Sequence, residues 1–193
     1  MRLVVSKEFV RGILRWTQRS FGLCALTLLG YSLFVVADAW LFERQENLEL
    51  YRLAEHHAPA ANAPKGLIGR LAIRRLDLSV IVMEGSTADI LRRSAGHIAG
   101  TGLPGAPGNI GISAHRDTFF LPLRNIRQND IITLTTPVNE FRYRVLFFRI
   151  VSPSDVAVLE PTTTEVLTLV TCYPFYFVGS APDRFIVRAE RII

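Results

Sequence analysis

The spacing of hydrophobic residues changes near residue 65 of this 193-residue chain. Residues 21–42 form an apolar run with a single charge, Asp38, and its length suits a membrane-spanning helix of about 20 residues. Beyond residue 65, apolar and polar positions alternate in short runs, as they do in half-buried β-strands. The pattern therefore predicts an N-terminal transmembrane helix followed by a mainly β domain.

At least seven runs carry this strand pattern, with turns rich in glycine, proline and aspartate between them. They cover residues 66–73, 78–83, 109–114, 130–136, 140–151, 165–171 and 184–189. One short helix is predicted at Ser86–Ser94, with a serine or threonine cap and Asp89 in its first turn. Because no strand–helix–strand rhythm is present, the runs favour a barrel or a sandwich over an α/β fold.

Charge and composition divide the chain into four predicted segments. They are a basic cytoplasmic segment (1–20), a transmembrane signal anchor (21–42), a juxtamembrane helix with an Ala/Pro linker (43–64) and a folded domain (65–193). Basic residues ahead of the apolar run predict a cytoplasmic N-terminus and a folded domain outside the cell membrane. Because residues 1–20 hold most of the net charge of +5, the remainder is almost neutral, which argues against nucleic acid binding.

A cleaved signal peptide is the alternative interpretation of the apolar run. Ala37, Asp38 and Ala39 fit the small-x-small cleavage pattern of such peptides. The apolar run continues through Trp40, which suits a membrane interface, and this favours an uncleaved anchor. Both interpretations export the folded domain and differ only in whether it stays tethered.

Cys172 is the candidate nucleophile of the folded domain, since the other cysteine, Cys24, lies in the apolar N-terminal run. Cys172 ends a β-branched, apolar run, and Pro174 prevents strand pairing from continuing far beyond it. A lone thiol is unusual in an exported domain, because that compartment favours oxidation. It is either buried and inert or retained for its reactivity, which requires a neighbouring base or cation.

His115 and Arg184 are the candidate partners of this thiol. His115 ends an apolar strand, whereas His97 lies in a glycine-rich loop, so His115 is favoured as general acid and base. Arg184 begins the next alternating run, and its forked guanidinium is suited to stabilising negative charge on a carbonyl oxygen. The structural alternative is a packed cysteine with a surface ion pair between Arg184 and Asp183.

Three motifs resemble those of sortases, the membrane-anchored cysteine transpeptidases. Thr168-Leu-Val-Thr-Cys172 is similar to their TLxTC signature, Ser113-Ala-His115-Arg-Asp-Thr-Phe-Phe120 to their histidine segment, and Asp183-Arg184-Phe-Ile-Val to their arginine strand. The motifs occur in the family's order over about residues 64–193, and their detail is most similar to class D sortases. Two features differ: Ser113-Ala114 replaces the Ala-Gly of many sortases, and no Asp-Pro-aromatic lid motif precedes the domain.

The resemblance implies an eight-stranded closed β-barrel at 65–193, with one or two short helices. It implies that Cys172 attacks the threonine carbonyl of an LPxTG-like sorting signal and forms a thioacyl intermediate. His115 would be the general acid and base, Arg184 would hold the substrate carbonyl and its oxyanion, and Thr171 would assist in supporting that oxyanion. The implied partners are secreted proteins with a C-terminal sorting signal, and an amine from a peptidoglycan stem, its precursor or a protein lysine.

Other functions stay open at the level of sequence. A sortase-like hydrolase would release its substrates to water, and a non-enzymatic anchored β-module would carry an inert thiol. An L,D-transpeptidase is less favoured, because those enzymes place glycine next to the cysteine where this chain has Tyr173. No metal or cofactor is predicted, since adjacent His56 and His57 lack a further ligand at zinc-site spacing and no dense acidic cluster suits calcium.

Overall fold

The computed structural model describes residues 7–55, 66–177 and 179–192. Its first element is a long helix, α1, at Lys7–Glu55. Within α1, the 29 residues Leu14–Phe42 have a mean hydropathy of 1.9, so this stretch is long and apolar enough to cross a membrane. The chain divides between Trp40 and Leu41 into two units, of which the second contains the β domain.

The described part of residues 66–192 forms eight strands that close into a barrel. In chain order they are β1 Leu67–Ile73, β2 Leu78–Glu84, β3 Ala95–His97, β4 Gly108–Ser113, β5 Ile131–Thr135, β6 Glu140–Val151, β7 Glu165–Tyr173 and β8 Asp183–Ile192. Around the barrel the order is β1-β2-β3-β4-β7-β8-β6-β5, with parallel pairing in β2–β3 and β4–β7. The predicted mainly β fold is confirmed, and of the barrel and the sandwich it is the barrel that forms.

The topology brings the candidate site residues to one rim of the barrel. Strands β1, β4, β6 and β7 run in one direction and the other four run in the opposite direction. The ends of the first four therefore meet the starts of the others. His115 follows the end of β4, Cys172 lies one residue before the end of β7, and Arg184 is the second residue of β8.

Alternation along β7 decides which side chains face the core. Leu167 and Leu169 are fully buried in the barrel core, where they pack with Val187 of β8. Because successive residues of a strand point to opposite faces, Val170 and Cys172 lie on the outer face. The rim is thus apolar inside and carries the candidate nucleophile outside.

Short helical segments occupy four of the connections. They are the 3-10 turns Arg74–Leu76, Leu121–Asn125 and Val156–Leu159, and the helix α2 at Ala88–Arg93. Helix α2 matches the predicted helix, with Asp89 in its first turn, but it is shorter by two residues at its start and one at its end. The predicted cap does not form, because Thr87 occupies the N-cap position without a side-chain hydrogen bond.

Helix α1 joins parts of three predicted segments without a break. The predicted juxtamembrane helix continues from the apolar stretch, since residues 43–55 are rich in good helix formers and contain neither glycine nor proline. The predicted Ala/Pro linker and the histidine pair His56-His57 fall within 56–65, outside the described residues.

His97 is not in a flexible loop, and that interpretation of the sequence is wrong. It ends β3 and is only 2 % exposed. Its Nδ1 lies 2.8 Å from a Glu84 carboxylate oxygen, and its Nε2 lies 2.8 Å from the Gly102 carbonyl oxygen. These buried contacts give His97 a structural role in joining β2, β3 and the loop that leads to β4.

Candidate active site

Cys172 and Arg184 lie opposite each other on β7 and β8. They are register partners in this antiparallel pair, and the pairing continues for one more residue, from Tyr173 to Asp183. Directly opposite residues of antiparallel strands point to the same face, with Cβ atoms about 4.5–5.5 Å apart. Both side chains are half-buried. Arg184 therefore stands beside the thiol on the outer face of the barrel.

His115 reaches the same face from the other side of β7. Strand β4 pairs in parallel with β7, and the last register partners are Ser113 and Val170. Two residues further along both strands, this register places His115 level with Cys172. The alignment continues beyond β4, because the Ala114 N–H donates to the Val170 carbonyl at 3.3 Å.

The thiol and the imidazole are both open to a ligand. The Cys172 thiol is free, and His115 is exposed. Neither side chain hydrogen-bonds to any residue that the structure describes. The two groups are thus brought to adjacent strand ends without being committed to other partners.

Thr171 lies on the opposite side of β7 from its neighbour Cys172. It is 2 % exposed, and its hydroxyl donates to the Ala114 carbonyl at 2.8 Å. That hydroxyl therefore ties β7 to the residue before His115. Direct contact between it and a substrate oxyanion would require this buried hydrogen bond to break.

Arg184 uses part of its guanidinium on its own loop. Its Nη1 donates to the carbonyl oxygens of Ala181 at 3.3 Å and Asp183 at 2.9 Å. Nε and Nη2 have no acceptor among the described residues. One nitrogen fixes the direction of the fork, while the other two remain available to bind a carbonyl oxygen.

Apolar side chains form the outer face next to the three candidate residues. Val170 is half-buried and pairs with Ile186, which is 1 % exposed. One pair further along β8, Arg188 donates to the Val158 carbonyl at 3.0 Å. Burial lowers the pKa of the Arg188 guanidinium, and the positive charge of Arg149 lowers this pKa further.

An aromatic cluster packs around Phe185 at the same rim. The Phe185 ring lies 5.2 Å from Phe175, 5.7 Å from Phe148 and 6.2 Å from Tyr173, centroid to centroid. Tyr173 and Phe185 are the residues that follow Cys172 and Arg184, so these two strand ends are packed together from within. Aromatic pairs at such distances contribute about 0.5–1.5 kcal/mol beyond the area they bury.

Arg116 is a residue of this region to which the sequence assigned no role. Its guanidinium donates to the carbonyl oxygens of Pro174 at 3.0 Å, Phe177 at 2.8 Å and Gly179 at 3.1 Å. These acceptors belong to the loop that joins β7 to β8. Hydrogen bonds to backbone carbonyls leave no signature in the sequence. The only sequence signal that could have drawn attention to Arg116 is its position next to His115.

The described residues contain no group of three or more His, Cys, Asp or Glu side chains that would hold a metal ion. The side chains that the strand ends bring together at the rim are a thiol, an imidazole and a guanidinium. That combination suits nucleophilic attack on a carbonyl carbon, with proton transfer and stabilisation of the developing oxyanion.

A family model describing the sortase domain matches residues 71–192. This stretch covers nearly the whole barrel and all three candidate residues. The chain belongs to the sortase family. Sortases are cysteine transpeptidases, and the closed eight-stranded barrel is the fold of sortase structures similar to this one.

Two relatives illustrate the sequence similarity to other sortases. Sortase D of Bacillus subtilis (strain 168) is 34% identical over 125 residues, which cover 64% of this chain and 63% of the relative. Sortase A of Listeria monocytogenes is 26% identical over 132 residues, which cover 66% of this chain and 59% of the relative. The matched part thus spans somewhat less than two thirds of these relatives' own lengths.

Solved sortase structures share the fold. A Clostridium perfringens sortase D5 transpeptidase aligns with a TM-score of 0.64 and 26% identity, covering 78% of this chain and 96% of that one. Sortase A from Corynebacterium diphtheriae aligns with a TM-score of 0.63 and 29% identity, covering 68% of this chain and 63% of that one. The sortase barrel therefore accounts for the whole β domain described above.

Proposed function

We propose that this protein is a membrane-anchored transpeptidase that cleaves an LPxTG-like sorting signal after threonine and transfers the acyl part to an amine. The observation that carries the proposal is the shared outer face of three adjacent strand ends. Cys172 on β7 lies between His115, which follows β4, and Arg184 on β8, and the side chains of Cys172 and His115 are open to a ligand.

The first step is acylation of Cys172. Its sulfur bonds to the threonine carbonyl carbon, and the thiol proton passes to His115. Nε and Nη2 of Arg184 donate hydrogen bonds to the carbonyl oxygen as negative charge develops on it. The threonine C–N bond then breaks, and His115 gives its proton to the leaving amine. A thioester between threonine and Cys172 remains.

The second step transfers the acyl group to a new amine. The incoming amine attacks the thioester carbonyl, and His115 accepts the proton that this nitrogen loses. When the C–S bond breaks, the proton returns to the Cys172 sulfur and a new amide is left. Water in place of the amine would give a carboxylic acid, which is the outcome of the hydrolase alternative.

In this scheme the Thr171 hydroxyl does not contact the substrate. It acts by binding the backbone just after β4. The hydroxyl is 2.8 Å from the Ala114 carbonyl and buried, so it holds the backbone that leads to His115. This assignment changes the expected role of Thr171 from an oxyanion donor to a residue that keeps the strand end of His115 beside the strand end of Cys172.

The apolar stretch of α1 serves as the anchor in this proposal. Its length and hydropathy suit a single membrane crossing, and the basic residues before it favour a cytoplasmic N-terminus. The barrel would then stand on the extracytoplasmic side, where secreted proteins with a C-terminal sorting signal pass. The resolving amine would come from a peptidoglycan stem, its precursor or a protein lysine.

The proposal is tested by measuring how the acyl group is divided between water and an added amine. The full-length protein in detergent is incubated with an LPxTG-containing peptide, with and without an excess of triglycine, and the products are identified by mass spectrometry. A transpeptidase gives a ligated threonyl-glycine product that increases with triglycine. Only hydrolysed peptide at every triglycine concentration would favour the hydrolase, and uncleaved peptide would contradict both enzymatic functions.

A further inference from the structure

Arg116 lies in the segment that follows β4, and its side chain connects this segment to the loop between β7 and β8. Its three hydrogen bonds, at 2.8–3.1 Å, end on the backbone of Pro174, Phe177 and Gly179. The guanidinium also lies 5.8 Å from the centroid of the Phe177 ring, within cation–π range. A half-buried cation is thus satisfied by neutral carbonyl groups along one loop.

The same loop is held at its other end by Arg184. Nη1 of Arg184 donates to Ala181 and Asp183, so two guanidiniums share the loop between them. Cys172 lies two residues before the first carbonyl bound by Arg116. A shift of the loop would therefore change the direction of the Arg184 fork beside the thiol.

We propose that Arg116 is a positioning residue, which sets the geometry of Arg184 relative to Cys172 and His115 through the β7–β8 loop. The inference rests on the proposed function. Its physical basis is covalent continuity: Arg116 is bonded directly to His115, and its side chain fixes the loop that joins the other two residues. Displacement of a reacting group by about 1 Å is enough to lower a rate by about 10²-fold.

Lysine cannot replace Arg116 in this role. Its ammonium group is a single point donor, whereas the guanidinium reaches three carbonyl oxygens from two separate nitrogens. The substitution Arg116→Lys keeps the positive charge and most of the apolar stem. It therefore separates the hydrogen-bond geometry from electrostatics and from side-chain volume.

Arg127 provides a matched control. It lies at the same rim, just after the 3-10 turn Leu121–Asn125, and its side chain is exposed. No described contact joins the Arg127 side chain to the β7–β8 loop. Arg127→Lys makes the same chemical change as Arg116→Lys without touching the loop.

The first measurement is hydrogen exchange in the full-length protein, which needs no substrate. Arg116→Lys is expected to speed amide exchange in the peptide covering 174–182 by about tenfold or more, because bonded carbonyls no longer hold the loop closed. Strands β1 and β2, on the far side of the barrel, should exchange as in the wild type. Unchanged exchange at 174–182 would overturn the inference whether or not the protein is a transpeptidase.

The second measurement uses the peptide assay. Arg116→Lys is expected to lower kcat by about 10²-fold with little change in KM, and Arg127→Lys should leave both unchanged. Alkylation of Cys172 by iodoacetamide, measured in a Cys24→Ser background, should fall far less than kcat, since a small reagent needs the thiol but not the oxyanion donors of Arg184. A loss of kcat accompanied by an equal loss of alkylation would contradict positioning through Arg184.

A double-mutant cycle completes the test. If Arg116 acts through Arg184, Arg116→Lys should lower kcat by less than about threefold once Arg184→Lys is present. The full 10²-fold loss in that background would show independent action and overturn the inference. If Arg116→Lys speeds loop exchange while the wild type itself cleaves no peptide, the proposed function fails and the loop contact of Arg116 stands.

Discussion

Cys172 and Arg184 are register partners at the rim where β7 ends and β8 begins. A slip of one residue in this pairing would send one of the two side chains into the core, because the side-chain period of a strand is two. The register is held from within by Phe185 and Tyr173, whose rings lie 6.2 Å apart. The position of a permanent cation beside the thiol is thus a property of the barrel itself.

Arg184→Lys tests whether the fork is needed as well as the charge. We expect kcat/KM for peptide cleavage to fall by about 10²–10³-fold, because a point charge cannot reproduce two directed donors on the oxyanion. Arg188→Lys is the matched control, since Arg188 lies on the same face of the same strand and, among the described residues, its side chain hydrogen-bonds only to the Val158 carbonyl. Normal cleavage by Arg184→Lys would make Arg184 a structural residue.

Thr171→Val separates the two possible roles of the Thr171 hydroxyl. The variant removes the buried bond to Ala114 and should lower the free energy of unfolding by about 1–3 kcal/mol. Activity should fall as well, because the backbone before His115 is released. Thr168→Val is the control: it removes a comparable bond between β7 and β4, from Thr168 to Asn109 at 2.5 Å, farther from His115.

The two hydroxyl variants are compared by chemical denaturation and by kcat at a temperature where both stay folded. Our account predicts a loss of stability in both and a loss of kcat specific to Thr171→Val, which Thr171→Ser restores. A loss of kcat in Thr171→Val with unchanged stability would instead identify the hydroxyl as a direct oxyanion donor.

The pairing of Asp130 with Arg75 predicts a pH dependence of stability. Two hydrogen bonds from Arg75, both 2.5 Å long, lower the pKa of the Asp130 carboxyl below its usual value of 3.8, and the Arg127 N–H adds a third at 2.8 Å. Because the pKa is lower in the folded protein, this stabilisation is fully present above the unfolded value and is lost as pH falls through the folded value.

Thermal unfolding between about pH 7 and pH 2.5 measures this effect. Asp130→Asn should lower the melting temperature at neutral pH, and the difference from the wild type should shrink below about pH 4, where the unfolded carboxyl becomes protonated. A constant difference over the whole range would mean that the carboxylate charge does not contribute.

Much of the barrel was predictable from local pattern. Strand β6 has the predicted bounds, Glu140–Val151, and β7 begins at the predicted Glu165. β-branched and aromatic residues at every second position carry this information. Closure of the barrel was not visible locally, because it depends on pairing between distant strands such as β1 with β5, and only the family resemblance implied it.

Strand β3 shows why a short element escapes such prediction. It has three residues, too few to reveal alternation, and its centre is Gly96. A Cβ at this position would lie 2.2 Å from the Gly85 carbonyl oxygen, so the close approach of the chain requires glycine. In sequence the same glycine is typical of a loop, and this is why the sequence pattern predicts a loop at His97.

The candidate site was predictable only in part. The resemblance and the strand ends pointed to Cys172, His115 and Arg184, whose catalytic roles stay predictions. The position of His115 beside Cys172 depends on the parallel register of β4 with β7, which joins segments more than fifty residues apart. The contacts of Arg116 end on backbone carbonyls, so no residue type in the sequence indicated them.

In the proposed mechanism His115 and Cys172 divide the chemistry between them, and this division predicts different defects. His115→Ala should lower the rate of acylation by about 10²–10⁴-fold, the usual contribution of a general acid and base. Cys172→Ala should abolish acylation without unfolding the barrel, because the thiol lies on the outer face and makes no hydrogen bond with the described residues.

Trapping of the acyl-enzyme tests the central claim most directly. Full-length Cys24→Ser protein is mixed with an LPxTG-containing peptide, quenched in acid within the first turnover, and digested for mass spectrometry. Our account predicts that the N-terminal fragment, ending in threonine, is attached through a thioester to the peptide containing Cys172. Cleavage of the sorting-signal peptide by Cys172→Ala, or turnover without any adduct on Cys172, would contradict it.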